Sequence, residues 1–114
     1  MRSSVAAGLL AGLTFLSAPV FASGDWQKDV VRTIQSEQSY PRSAIKRGDQ
    51  GTARIRVFVG SDGMVTNVEI VEGSGSPILD REALRMPTRA GRVLATPDGR
   101  PQIVEIPVVF RIDD

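Results

Sequence analysis

A chain of 114 residues with 14 basic and 13 acidic side chains has room for one domain, and no bulk charge to gather nucleic acid or an anionic membrane. It contains no histidine and no cysteine, which removes the commonest general base, the thiol nucleophile, any disulfide and the soft metal ligands. Enzymatic function is therefore not expected; a small hydrolase, the alternative from that class, would have to be built without either residue.

Residues 1–22 read as a secretory signal peptide. Arg2 supplies the positive start, residues 5–16 a short apolar stretch, and Pro19 breaks the helix ahead of a Val20-Phe21-Ala22 cleavage pattern. Cleavage after Ala22 would export a chain beginning at Ser23, with 13 basic and 13 acidic residues. The alternative is an uncleaved inner-membrane anchor, although a spanning helix needs ~20 predominantly apolar residues and this stretch holds several small ones. An exported chain without cysteine must rely on a modest apolar core.

Residues 25–37 form an amphipathic pattern, with Trp26, Val30 and Ile34 in steps of four and Val31 beside them. Tyr40-Pro41 interrupts it. Pro41 suits the first helical position, so residues 41–47 are expected to form a short helix stopped by Gly48.

Residues 51–59 alternate, with Ala53, Ile55, Val57 and Val59 on one face and Thr52, Arg54, Arg56 and Phe58 on the other. Ser61-Asp62-Gly63 supplies a turn and residues 64–72 return as a second strand, giving a hairpin. After Gly73-Ser74-Gly75, Ser76 is placed as an N-cap with Pro77 at the first helical position, and Asp80 and Glu82 suit the positive end of the helix. Leu79, Ala83 and Met86 share a core-facing stripe, Arg81, Arg85 and Arg89 a different one, and Pro87 is expected to end or kink the helix near Met86.

Pro97-Asp98-Gly99 is a further turn before a last strand over residues 103–112. Val104, Ile106, Val108, Phe110 and Ile112 share one face of it; Ile103, Glu105, Pro107, Val109 and Arg111 share the other. Proline within a strand marks an edge, so this strand is expected at the border of the sheet. The expected architecture is α+β: a three-stranded antiparallel sheet covered on one face by two helices, with an extra N-terminal helix.

No pattern for a metal, cofactor or catalytic site stands out. Asp62 and Asp98 offer single carboxylates where a calcium loop needs several oxygens, and Gly73-Ser74-Gly75 lacks the lysine of a phosphate loop. Phe58, which shares a strand face with Arg54 and Arg56, could stack a nucleic-acid base, but a solvated strand face is the simpler reading at this net charge.

Taken in order, Tyr40-Pro41, the strand from Gly51, Asp62-Gly63, Ser76-Pro77 with Leu79-Asp80, and Ile106-Pro107-Val108 resemble the C-terminal domain of TonB family proteins. The resemblance covers residues 40–112 and divides the chain into a signal peptide (1–22), an N-terminal helical segment (23–39) and a TonB C-terminal-like domain (40–114). It implies a periplasmic domain that binds a segment of outer-membrane transporters by strand addition. The receiving strand would be the last one, and Ile103, Glu105, Pro107, Val109 and Arg111 are its candidate partner-binding residues. Relatives that transduce energy carry a membrane anchor with a histidine and a long proline-rich spacer, whereas only residues 23–39 precede the domain here. A short membrane-anchored transducer is the alternative reading. The expected partner is thus a protein or peptide segment, with no nucleic acid and no cofactor, and an open edge also admits a second copy of the chain.

Overall fold

The computed structural model describes residues 24–113; the expected signal peptide lies outside them. The elements in chain order are α1 (Asp25–Gln35), α2 (Arg42–Arg47), β1 (Gly51–Val59), β2 (Val65–Glu72), α3 (Pro77–Ala90) and β3 (Gln102–Phe110). The strands form one antiparallel sheet in the order β2-β1-β3. This is the α+β arrangement that the alternation and caps imply, with the helices on one face.

β1 is the central strand. Its inward residues Ala53, Ile55, Val57 and Val59 are buried beneath α3. From β3 come Val104, Ile106, Val108 and Phe110, and from α3 Leu79, Ala83 and Met86. Val68 and Ile70 of β2 pack at the margin of this core. α1 lies against β3 and α3, with Val30 and Ile34 fully buried and the Trp26 indole N–H donating to the Leu94 carbonyl at 2.9 Å.

The turns follow the local chemistry. Gly63 takes a φ of 90°, and a Cβ there would lie 2.1 Å from the Val93 carbonyl oxygen, so the position requires glycine. Gly48, at a φ of 73°, closes α2 through paired bonds from the Gly48 and Asp49 N–H groups to the Ile45 and Ala44 carbonyls. Ser76 caps α3 by accepting from the Leu79 N–H at 3.3 Å, with Pro77 in the first turn.

Three local expectations are corrected. Pro41 is the N-cap rather than the first helical residue, because its extended ψ of 135° leaves only its carbonyl to enter the helix, as acceptor for the Ile45 N–H. Of the two outcomes expected at Pro87, an end or a kink, the end does not occur: α3 runs on to Ala90. The break costs about 3 kcal/mol in an isolated helix. Here Met86 and Pro87 are both buried, and Arg89 ties the last turn to Glu82 and to the Glu37 carbonyl (2.7 Å). Glu82 does not serve the first turn, where Asp80 stands: it is buried, and it accepts from Arg89 and from the Ser39 N–H at 3.0 Å. The pair thereby clamps the segment joining α1 to α2.

Phe110 is 2% exposed and meets the Tyr40 ring edge-on, with centroids 5.4 Å apart. Phe110→Ala should therefore destabilise the domain by ~3–5 kcal/mol, read from chemical denaturation midpoints.

The Tyr40 hydroxyl donates to the Asp49 carbonyl. Burial, and secondarily the Asp49 charge, raises its pKa above the ordinary 10.0. A raised folded-state value means that the fold favours the neutral phenol. That contribution is complete below the unfolded value and is lost as pH rises through the folded one. Melting curves between about pH 9 and about pH 11 should show a shallower alkaline loss of stability in Tyr40→Phe than in the parent.

Candidate functional site at the β3 edge

Both β2 and β3 border the sheet, but they differ in regularity. β2 pairs with β1 through two register shifts, one of which leaves Val71 unpaired and exposed. Such bulges twist a strand and spoil it as a template. β3 pairs with β1 from Gly51↔Phe110 to Val59↔Gln102 without interruption. It is the straight edge of the sheet.

Hydrogen bonds reveal which of its backbone groups are turned outward. Gln35 Nε2 donates to the Pro107 carbonyl at 3.4 Å, and Gln38 Nε2 donates to the Val109 carbonyl at 2.8 Å. Both carbonyls therefore point away from β1. Each residue of an antiparallel strand directs its N–H and C=O to the same side, so the odd-numbered residues of β3 face outward and the even-numbered ones build the internal ladder. Pro107 lacks a donor that would have pointed to the open side, and it costs the β1–β3 ladder nothing.

The same parity divides the side chains. Gln102, Val104, Ile106, Val108 and Phe110 are buried, while Ile103 and Glu105 are half-buried and Pro107 and Val109 exposed on the uncovered face. Glu105 accepts from Arg56 Nη2 at 2.8 Å and Nε at 3.2 Å, and Arg54 pairs with Glu72 at 3.1 Å. The two arginines that share the face of Phe58 are thus engaged with carboxylates, and that face is a charge-paired surface.

Arg111 is not part of this edge. β3 ends at Phe110, because β1 begins opposite it at Gly51. Beyond that point the Ile112 N–H is taken by the Gln50 side chain at 2.8 Å, which replaces a ladder bond and removes Ile112 from the strand as well. Residues Ile103, Glu105, Pro107 and Val109 remain together.

The other motif residues lie away from the edge and hold the scaffold. Asp62 accepts from the Met64 N–H at 3.0 Å inside the hairpin turn, and Asp80 accepts from the Ser74 N–H and hydroxyl at 2.8 and 2.7 Å. Ser76 donates to the Asp49 carboxylate at 3.0 Å, linking the start of α3 to the end of α2. Leu79 is core. Among the described residues no group of three or more acidic side chains converges on a point where a metal ion could sit.

The family described as Gram-negative bacterial TonB protein C-terminal matches residues 36–112. This chain belongs to that family. It is 38% identical over 106 residues to the TonB protein of Pseudomonas putida, an alignment covering 84% of this chain and 43% of the relative. The chain thus spans less than half the length of that curated relative. In structure it is similar to the Helicobacter pylori TonB C-terminal domain, with a TM-score of 0.71 at 24% identity, covering 82% of this chain and 86% of that one. It is also similar to TolAIII, solved bound to a peptide derived from the N-terminus of TolB, with a TM-score of 0.58 at 19% identity, covering 87% and 83%. At these identities the two structures establish the fold.

Within this TonB-family domain, α1 precedes the matched span yet contributes Val30 and Ile34 to the core. Gln35 and Gln38, which reach the edge, were not visible as site residues in the sequence. Glutamine at the end of an amphipathic helix signals only a polar surface.

The parity makes two neighbouring substitutions behave differently. Val109→Pro removes an outward donor and should leave stability nearly unchanged. Val108→Pro removes an inward donor paired with Ala53, and the orphaned carbonyl alone should cost about 1–3 kcal/mol. Urea titration of the two variants checks the difference.

Proposed function

We propose that this TonB-family domain captures an extended protein segment by strand addition along β3, and that it acts in the periplasm as a non-enzymatic partner in TonB-dependent outer-membrane transport. The observation that carries this reading is the uninterrupted β3 edge, with the carbonyls of Pro107 and Val109 turned outward. An added strand would receive the Ile103, Glu105 and Val109 N–H groups and supply donors to the outward carbonyls, so main-chain bonds provide affinity. Side chains on the uncovered face, Ile103, Val109 and the Arg56–Glu105 pair, would meet alternate residues of the incoming strand and provide selectivity. TolAIII, a protein of the same fold solved with a bound peptide, supports a peptide-receiving role. The signal-peptide pattern over residues 1–22 supports export, with the domain released into the periplasm.

The test uses synthetic ten-residue peptides copied from the periplasmic N-terminal segments of the host's outer-membrane transporters. In an amide NMR titration the largest shifts are expected at the Ile103, Glu105 and Val109 N–H groups. Val109→Pro should weaken binding by roughly tenfold while the fold persists. Shifts gathered instead on Arg54, Arg56 and Phe58, or along β2, would overturn strand addition at this edge.

A further inference from the structure

The outward carbonyls of Pro107 and Val109 are not left to water. Two side-chain amides from the end of α1 and the segment after it reach across and donate to them. Those amides stand where the N–H groups of a neighbouring strand would stand. Their carriers are held in place: Ile34, adjacent to Gln35, is fully buried, and Glu82 and Arg89 bind the backbone of Ser39 and Glu37 on either side of Gln38. The backbone is therefore anchored, while the two glutamine side chains themselves are exposed to solvent.

We propose that Gln35 and Gln38 are a displaceable guard on the β3 edge. They satisfy its outward carbonyls in the free domain, hold off pairing with a second copy of the chain, and give way only to a strand that brings its own donors. This rests on the edge identified under the proposed function, but it concerns the free protein and needs no transporter.

The guard sits where self-pairing needs the edge. Two β3 strands related by a two-fold axis at Ile106 place Ile103 opposite Val109 and Glu105 opposite Pro107. In that register the Val109 carbonyl receives the Ile103 N–H, and the Pro107 carbonyl receives the Glu105 N–H. Both guarded acceptors are used, and no like charges face each other. A regular, unprotected edge of this kind is a template for association, and the two amides remove its acceptors without altering the strand.

The experiment measures self-association of the mature domain by sedimentation equilibrium in the parent, Gln38→Ala, Gln35→Ala and the double variant. Removing both amides should tighten self-association by roughly tenfold. Gln38 should account for most of it, because its bond is 2.8 Å against 3.4 Å for Gln35. Gln38→Met, which keeps the length but not the donor, should match Gln38→Ala. Val109→Pro in the double variant should reverse the gain by removing an edge donor. Equal association constants in the parent and the double variant overturn the proposal, as does a Gln38→Met variant that behaves like the parent, which would assign the protection to bulk. Failure of transporter peptides to bind would leave these outcomes unaffected, so the two readings fail separately.

Discussion

β1 carries hydrogen-bonded neighbours on both sides, and its inward face of Ala53, Ile55, Val57 and Val59 is closed from solvent. A one-residue slip of either neighbour would turn that neighbour's apolar set to water, so β1 dictates the register of the sheet. With its own backbone groups consumed, the unsatisfied donors and acceptors of the sheet are displaced to β2 and β3. Bulges spoil β2 as a template. What remains is β3, straight over its whole length against β1, and the candidate site follows from that asymmetry rather than from any reactive side chain.

The second determinant is the segment between α1 and α2. Buried Glu82 accepts from Arg89 and from the Ser39 backbone, while Arg89 also reaches the Glu37 carbonyl. Surface ion pairs contribute little to stability. This one is half sheltered, with the carboxylate side chain 8% exposed and the arginine side chain 37% exposed, and it organises backbone rather than merely pairing charges. Through it the position of α3 sets where α1 ends, and where α1 ends sets where Gln35 and Gln38 meet the edge. The family match begins at residue 36, so the helix that supplies Val30, Ile34 and Gln35 precedes the matched span while sharing its core.

Residues that carry the family pattern do structural work at a distance from the edge. Tyr40 bridges Phe110 and Asp49, and Asp49 accepts from Ser76, which caps α3. Asp62 and Asp80 each hold the backbone of a turn. The pattern is a specification for joining helix to sheet. The proposed strand addition, by contrast, would use backbone groups that any residue other than proline supplies, so the edge residues need not be chemically distinctive.

Local periodicity determined much of this protein. Strict alternation in β1 and β3, the Asp62-Gly63 turn, the Ser76-Pro77 cap and the Trp26-Val30-Ile34 stripe are short-range signals, and each acts within a turn or a hairpin where it forms. Pro107 likewise announced an edge, because a strand in the middle of a sheet has no place for a missing donor. Tertiary structure alone decided the rest. Pro107 favours an outward odd parity in β3, but only the register with β1 fixes it. Whether Pro87 ends α3 depends on the burial that opposes its cost, and whether Arg111 belongs to the strand depends on where β1 begins. That Glu82 is buried, and that Gln35 and Gln38 meet carbonyls about seventy residues away along the chain, arises only when α1 packs against β3 and α3. A polar side chain records in its sequence that it needs a partner; packing chooses which one.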